Sequence, residues 1–397
     1  MIQSERDLFR LRIALLQAFL ETRKADGILL SRVDNFAMAT GGKRNYVYAA
    51  SDGGACSLYV TRAGQAYFVG NNIEAPRVME EELSALGCEV KSHLWWEGTS
   101  ADLVKREFTG TILSDDGAIG PNVHGDLAYL RSLLTTTELE KYRLLGKLAA
   151  ESMTAVLAAI KPGMPEAEIA GRLIAEGAAR RCLVPVHLIA ADERIARHRH
   201  PLPTVAGLLP SALKETAVRG YVMVVGCFLR EGLVVSLTRF KRVGDVSPAI
   251  LDAYDRVCGV DAIMQEETAP GKTLGDVFAA CQSAYRTLGF PENEWHNHHQ
   301  GGTAGYAARS FRASPGDSTP ILDPAWAQRV EAITGTPASF GQAFAWNPSA
   351  VGVKSEDTFL LGPDGTKEII TATPFFPKVD LERVLGRRTD IVKYGMS

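Results

Sequence analysis

The sequence lacks several features that would place it in a specialised class of protein. No window approaches the roughly 18 consecutive apolar residues that a helix needs to span a bilayer. The N-terminal segment alternates charged and apolar residues and has no apolar core of the kind found in signal peptides. The formal net charge is only −3 in 397 residues, so we expect no binding of nucleic acid or of a membrane surface. These absences predict a cytoplasmic globular protein.

Cysteine is also scarce, and its spacing argues against redox and zinc motifs. The six cysteines are scattered along the chain without any Cys-x-x-Cys pair. We therefore expect buried free thiols, which are typical of a reducing compartment.

Helical and strand patterns divide the chain into two α/β domains. An amphipathic helix over residues 5–24 is followed by short β-branched and aromatic runs, which alternate with helical segments up to Leu134. A run of threonines and then Glu138 starts the next helix, because threonine caps helices and acids favour their first turn. We predict an N-terminal α/β domain at residues 1–134 and a second domain at 135–397.

The second domain contains two similar helix-break-helix units. The first has its break at Lys161-Pro162-Gly163 and its second helix over residues 165–181. The other breaks at Ala269-Pro270-Gly271 and continues as a helix over residues 274–288. Strand-rich segments follow both units. This pattern predicts a duplicated α/β half, with a pseudo-twofold axis and a site between the halves.

A hairpin stands between these units. Tyr221–Phe228 and Leu233–Phe240 are β-branched and almost uncharged, and a turn over residues 229–232 joins them. Ser236 and Thr238 are two residues apart, so they point to the same face of the second strand. They are either core hydroxyls bonded to the backbone or part of a site.

Four segments carry a resemblance to a known family. The hairpin is similar to a strand pair with an Asp on each strand, and Gly301–Tyr306 is similar to Gly-His-x-x-Gly. Trp346-Asn347-Pro348 is similar to x-Glu-Pro, and Gly352–Thr358 to Gly-Val-Arg-x-Glu-Asp-Thr. In this order they resemble the pita-bread family of methionine aminopeptidase, aminopeptidase P, prolidase and creatinase, over roughly residues 138–372. The resemblance implies a pita-bread domain after a creatinase- or prolidase-type α/β domain.

The chain departs from this family where the dinuclear metal binds. The five matching positions are Val225, Ser236, Gly302, Asn347 and Glu356. Only Glu356 keeps a metal-binding side chain, and a hard divalent ion needs several carboxylate or imidazole ligands. The competing metal hypothesis uses His296, His298 and His299, but adjacent residues on a strand point to opposite faces. We therefore expect no metal and no other cofactor.

The resemblance also implies a catalytic histidine. Creatinase works without metal, with a histidine in a His-x-Pro segment before the hairpin, and His200-Pro201-Leu202-Pro203 resembles that segment. An imidazole can exchange protons near neutral pH. We predict His200 and Glu356 as catalytic residues, with Glu356 assisting the imidazole or holding a nitrogen of the substrate. The alternative is a surface histidine in an arginine-rich loop.

A second group of residues is predicted to bind a small-molecule substrate. Arginines in this group favour a substrate that bears a carboxylate. The predicted substrate-binding residues are Arg44, Ser236, Thr238, Arg239, Tyr306, Arg309, Arg312 and Asn347.

The favoured function is a metal-independent, creatinase-like hydrolase that cleaves a C–N bond of a small nitrogen-containing carboxylate. The alternatives are an inactive pseudo-peptidase that binds peptides or proteins, a metal-dependent Xaa-Pro peptidase and a lyase. We also expect a homodimer in which the N-terminal domain of one chain closes the site of the other. The reasons are the two-domain layout, which resembles that of creatinase, and the exposed loop Lys43-Arg44-Asn45, which has no obvious partner in its own domain.

Overall fold

The computed structural model describes residues 4–210 and 213–397, so the first three residues of the predicted N-terminal domain lie outside it. The elements of the N-terminal part are α1 (Glu5–Arg23), β1 (Gly27–Arg32), α2 (Val33–Thr40), β2 (Gly53–Thr61), β3 (Ala66–Asn71), α3 (Glu74–Arg77), β4 (Glu89–His93), α4 (Ser100–Glu107), β5 (Ile112–Ser114) and α5 (Ala128–Ser132). A π-helical segment, Val78–Leu83, continues α3.

The N-terminal part is a five-stranded sheet in the order β4-β3-β2-β1-β5. Its strand β1 is buried on both faces, because Ile28 and Leu30 pack in the core that includes α1, while Leu29 packs in a cluster with α4. Helix α1 begins at Ser4, whose side chain accepts from the Asp7 amide, and ends at Lys24 in the left-handed conformation.

In the second part of the chain, a short strand at residues 133–134 pairs with residues 341–342, and the domain boundary at residue 134 stays a prediction. The elements of this part, beginning with that strand, are β6 (Leu133–Leu134), α6 (Thr136–Ala159), α7 (Glu166–Ala179), β7 (Leu183–Ala191), α8 (Glu193–Arg197), β8 (Tyr221–Arg230), β9 (Leu233–Arg242), α9 (Pro248–Glu267), α10 (Leu274–Thr287), β10 (Gly301–Ala304), α11 (Pro324–Thr334), β11 (Gly341–Trp346), β12 (Ser349–Ala350), β13 (Val353–Lys354), β14 (Asp357–Leu361), β15 (Lys367–Ile369) and α12 (Leu381–Leu385). A 3₁₀ helix, Glu294–Asn297, precedes β10. Of the helices within residues 4–210 and 213–397, none is both long and apolar enough to cross a membrane.

The predicted duplication is confirmed in the order of these elements. Helices α6 and α7 accompany the antiparallel sheet β7-β8-β9, and helices α9 and α10 accompany the sheet β10-β11-β14-β15. Capping boxes start the first helix of one unit and the second helix of the other, with Thr135 and Glu138 at α6 and Thr273 and Asp276 at α10. A single bridge between Thr238 and Glu356 joins the two sheets. The site lies along this seam.

The central hairpin is tighter than the sequence suggested. Its strands extend to Arg230 and from Leu233, so the turn is Glu231-Gly232 alone. Both turn residues have positive φ, 49° and 73°. A two-residue turn of this handedness matches the twist of the strands and keeps the long hairpin in register.

The first helix is anchored to the second part of the chain. The buried guanidinium of Arg12 donates to Glu138 on α6 and to the carbonyl oxygens of Leu130 and Leu133. A buried ion pair with this many partners would be costly to break. The two parts also share one apolar core, so the N-terminal sheet is held firmly beside the hairpin.

Candidate active site

Four predicted residues meet at the seam between the sheets. Ser236 and Thr238 lie on one face of β9, and Glu356 lies opposite Thr238 just before β14. The Thr238 hydroxyl donates to Glu356 Oε2 at 2.6 Å, and Asn347 Nδ2 lies 3.4 Å from Glu356 Oε1. All four side chains are buried. The structure thus gathers four buried polar side chains at the seam.

Arg309 occupies the middle of this group. Its Nη2 donates to Glu356 Oε1 at 2.5 Å, and its Nη1 donates to Ser236 Oγ at 3.2 Å. Burial raises the pKa of Glu356, but the charges of Arg309 and Lys354 outweigh burial and hold that pKa below its usual value. Glu356 is therefore an ionised carboxylate that a guanidinium already neutralises.

Lys354 brings a second cation to the same place. Its side chain on β13 is 2% exposed, and its Nζ lies 3.2 Å from Nε2 of His298. Within the part of the chain that the structure describes, it has no carboxylate within ion-pair distance. Burial lowers the pKa of this lysine to about 8, against the attraction of Glu356.

Three histidines form a cluster beside Lys354. His200 comes from the loop after α8, and His298 and His299 follow the 3₁₀ helix. His200 Nε2 lies 2.9 Å from His298 Nε2, and the rings of His298 and His299 are 4.3 Å apart. His298 is buried, His299 is half-buried and His200 is exposed. Burial first, and then neighbouring cations, lower the pKa of all three, that of His299 to about 3.

The cluster contradicts an assumption about the histidine run. Adjacent His298 and His299 were expected to point apart as strand neighbours, but the strand begins only at Gly301. The irregular backbone before it directs both rings toward His200. His296, by contrast, is exposed and packs on Trp295.

The family's dinuclear metal does not fit the residues at its matching positions. Val225 is apolar, and Ser236 and Asn347 are neutral. A Cβ atom at Gly302 would lie 1.9 Å from the carbonyl oxygen of Phe311, so this backbone leaves no room for a histidine there. Glu356 is the remaining ligand, and Arg309 already binds it. These positions cannot hold the two metal ions of the family.

Arg239 lies on the other face of β9. Its guanidinium donates to Asp357 Oδ1 at 2.6 Å and to the carbonyl oxygen of Thr371 at 2.8 Å. Both charged side chains of this pair are 2% exposed. Arg239 reaches Glu356 and Thr238 only at their backbone carbonyl oxygens, so its side chain stabilises the sheet from the face opposite to their side chains.

The other predicted substrate-binding residues are spread further out. Tyr306 donates its hydroxyl to Glu138 and belongs to the contact between α1 and α6. Arg312 is exposed, and its charge reaches His299 and His200. Arg44 pairs with Glu82, and Lys43 pairs with Glu5. Because the loop has these partners in its own domain, the homodimer stays a prediction without that support.

A cleft of about 1100 Å³ leads from the N-terminal sheet toward the site. Arg44 borders the cleft on one side and the hairpin turn borders it on the other. It reaches Cys227 and Ala308, and Cys227 Sγ lies 3.2 Å from Ser236 Oγ. The cleft therefore ends next to the polar group around Arg309.

Sequence reasoning missed Lys354 as a member of the site. Lys354 and Glu356 are two residues apart on one extended segment, so their side chains share a face. That spacing was a usable signal. Nothing local indicated that His200 would meet His298 and His299, since 98 residues separate His200 from His298.

Comparisons with known proteins identify the family from one family model and the fold from solved structures. The model of metallopeptidase family M24 matches residues 140–362, which is more than half of the chain. The structure is similar to that of dipeptidase PepE from Mycobacterium ulcerans, with a TM-score of 0.71 and 16% identity over 94% of this chain and 98% of that one.

Two further structures are similar to about the same degree. The Xaa-Pro dipeptidase from Bacillus anthracis has a TM-score of 0.66 and 17% identity, over 91% of this chain and 97% of that one. The prolidase from Pyrococcus furiosus has a TM-score of 0.66 and 15% identity, over 90% of this chain and 99% of that one. No curated protein sequence matches the chain. The predicted fold is confirmed: a pita-bread domain follows an N-terminal α/β domain.

The expected function is wrong in its central claim. We expected a metal-independent, creatinase-like hydrolase of a small non-peptide compound. The matching family is one of metallopeptidases, and the three structures named above are two dipeptidases and a prolidase, which does not support a metal-independent, creatinase-like hydrolase. The error arose because lost side chains at the family's metal positions exclude one ligand set. They do not identify the bond that is cut.

Proposed function

The chain belongs to metallopeptidase family M24, and we propose that it hydrolyses the peptide bond of a short substrate with a free C-terminal carboxylate. The observation that supports this proposal is the charge balance of the pocket. Arg309 pairs with Glu356, whereas the buried Lys354 contacts His298 and has no carboxylate within ion-pair distance among the described residues.

The excess positive charge favours an anionic ligand. A buried charge without a counter-ion is costly, because burial removes its hydration. Arg309 also has a buried Nε atom with no hydrogen-bond partner among the described residues. A carboxylate entering this pocket would neutralise Lys354 and could accept from Arg309, which gives a strong charge-assisted contact.

The position of the histidines supports a short substrate. His298 contacts Lys354 directly, so the imidazole cluster lies next to the place proposed for the carboxylate. The peptide bond nearest to a C-terminal carboxylate is the last one, and it would lie against His200, His298 and His299. In this proposal His200 touches the reacting amide, while Glu356 keeps Arg309 in place.

The test is a comparison of free and amidated dipeptides. A panel of dipeptides and their C-terminal amides is incubated with the full chain and Zn²⁺, Mn²⁺ or Co²⁺, and the products are measured by mass spectrometry. A charged hydrogen bond corresponds to about ten- to hundredfold in kcat/KM, in favour of the free carboxylate. The Lys354→Met variant should lose that preference.

Lys367→Met is the matched control, because Lys367 is a partly buried lysine on β15 that bonds to the carbonyl oxygen of Glu266, away from the pocket. It should keep the preference of the unmodified protein. Equal rates on free and amidated dipeptides would refute the carboxylate site. The absence of any hydrolysis across the panel would refute the peptidase.

A further inference from the structure

We propose that His200, His298 and His299 bind one transition-metal ion, with Zn²⁺ as the first candidate, at a place distinct from the family's carboxylate positions. The role of such an ion in hydrolysis rests on the proposed function, whereas its binding does not. Imidazole nitrogens are preferred ligands of Zn²⁺, and three protein ligands leave a fourth position open in catalytic sites.

The distances suit a single ion. One nitrogen from each ring lies within 4.8 Å of the other two. Zn–N bonds of about 2.0–2.1 Å place the nitrogens of a tetrahedral site roughly 3.3 Å apart. The Nε2 atoms of His200 and His298 are already at 2.9 Å. Small rotations of the rings are therefore enough to surround an ion.

The cluster also has unused nitrogen atoms. Nδ1 of His299 is buried and has no hydrogen-bond partner among the residues that the structure describes. Nδ1 of His298 is unpartnered too, but it carries the ring proton when Nε2 of that ring presents its lone pair, so it does not bind the ion. A buried polar atom without a partner is rare in folded proteins and calls for an explanation. A ligand that binds imidazole nitrogen provides one.

A cation already lies against the cluster. The Lys354 amine can only donate to Nε2 of His298, so that nitrogen presents its lone pair. A metal ion binds the same lone pair. Binding at Nε2 would therefore displace Lys354 from His298 and free its ammonium group for the substrate carboxylate.

The competing occupant of the cluster is an anion. Lys354, Arg309 and Arg312 surround the histidines, and Glu356 is the nearby negative charge. Protonated imidazoles would add to that positive field. The His298 contact favours the metal, because His298 acts there as an acceptor. The two occupants also make opposite predictions for one variant, since removing the Lys354 charge should help a cation and harm an anion.

When bound, the ion would act as a Lewis acid toward the carbonyl oxygen of the last peptide bond. This places the proposed chemistry at the histidines. Arg309 and Lys354 would fix the substrate beside them.

The experiment uses the full chain after dialysis against a chelator. Zn²⁺ binding is measured by calorimetry, and Co²⁺ binding by its visible absorption, both without substrate. We expect one ion per chain. Loss of a residue that hydrogen-bonds to a metal ligand typically weakens metal binding by about 10- to 100-fold. His298→Ala and His299→Gln remove a ligand itself, so each should weaken binding by at least that factor. Lys354→Met should tighten it.

His296→Gln is the matched control, because His296 belongs to the same run but points away from the cluster. It should bind as the unmodified protein does. Circular dichroism of each metal-free variant checks its fold, and His299→Gln serves where His298→Ala does not fold, since His299 is only half-buried.

Failure to bind Zn²⁺ or Co²⁺, or weakening by His296→Gln as large as by His299→Gln, would overturn the metal site. Weaker metal binding in Lys354→Met would also overturn it. Binding of inorganic phosphate that is lost in Lys354→Met would show that the cluster binds an anion instead. Dipeptide hydrolysis that persists in variants that no longer bind metal would refute the role of the ion in hydrolysis and leave the proposed function standing.

Discussion

The two faces of the same pair of strands differ in how completely their buried charges are paired. On one face Arg239 and Asp357 form an ion pair, and Lys393 contacts both Asp357 and Asp261. On the other face, one residue earlier along each strand, Thr238 and Glu356 face the pocket. The first face is saturated with partners, whereas the second keeps a lysine without a carboxylate partner and nitrogens without a hydrogen-bond partner among the described residues.

The two buried lysines make the contrast clear. Burial lowers the pKa of Lys393, but Asp261 and Asp357 outweigh burial and raise it above its usual value. The pKa of Lys354 falls to about 8, because burial dominates and its one carboxylate neighbour is shared with Arg309. A network in which every buried charge has a partner needs no ligand to explain it, because its charges compensate one another within the fold. An unsaturated one indicates a missing ligand.

Removing a charge from the saturated face should have the largest effect. Lys393→Met leaves Asp261 and Asp357 buried with less compensation, so we expect a loss of about 3–5 kcal/mol in the free energy of unfolding. Urea denaturation at pH 7 measures it. A loss below about 1 kcal/mol, the range of an exposed ion pair, would show that the network is not a stabilising unit.

The same substitution on the pocket face should act in the opposite direction. Lys354→Met removes a buried cation that lacks its own counter-ion and keeps a flexible apolar chain of similar length. We expect an unfolding free energy that is unchanged or higher by about 1–3 kcal/mol, within the range for replacing buried ions by apolar groups. Urea denaturation beside Lys393→Met makes the comparison. If Lys354→Met lowers the free energy of unfolding as much as Lys393→Met does, the two faces do not differ in how their lysines are compensated.

Local sequence patterns predicted much of this arrangement. The two-residue period of strands placed Ser236 and Thr238 on one face, and the structure agrees. The same rule places Arg239 on the opposite face, so assigning it to the pocket was an avoidable error. The paired helix units were visible because their breaks and caps are local signals.

The rest of the site depends on contacts between distant residues. The obstruction at Gly302 comes from the backbone at Phe311, which no motif reveals. The direction of His298 and His299 depends on an irregular segment before β10, for which strand alternation gives no guidance. The isolation of Lys354 follows from which carboxylates the fold brings near it, and charge counts along the chain cannot show that.

The smallest expected difference in the free energy of unfolding is between variants of two buried serines, one on the saturated face and one on the pocket face. Ser355 donates to Asp261 at 2.6 Å on the saturated face, whereas Ser236 Oγ lies 3.2 Å from both Arg309 Nη1 and Cys227 Sγ. Short bonds to a buried charge are the stronger ones. We expect Ser355→Ala to lower the free energy of unfolding by about 1.5–3 kcal/mol, and Ser236→Ala by about 0.5–1.5 kcal/mol.

Urea denaturation of both variants at pH 7 resolves this difference if the slopes of the two transitions agree with that of the unmodified protein. Ser236→Ala should in addition raise KM for a dipeptide substrate, because Ser236 is one of the groups that hold Arg309 in the pocket. Ser355→Ala should leave KM unchanged, since Ser355 contacts the network around Asp261. An equal loss of stability in the two variants, with KM unchanged in both, would mean that the pocket face is as saturated as the other and that Arg309 does not need Ser236.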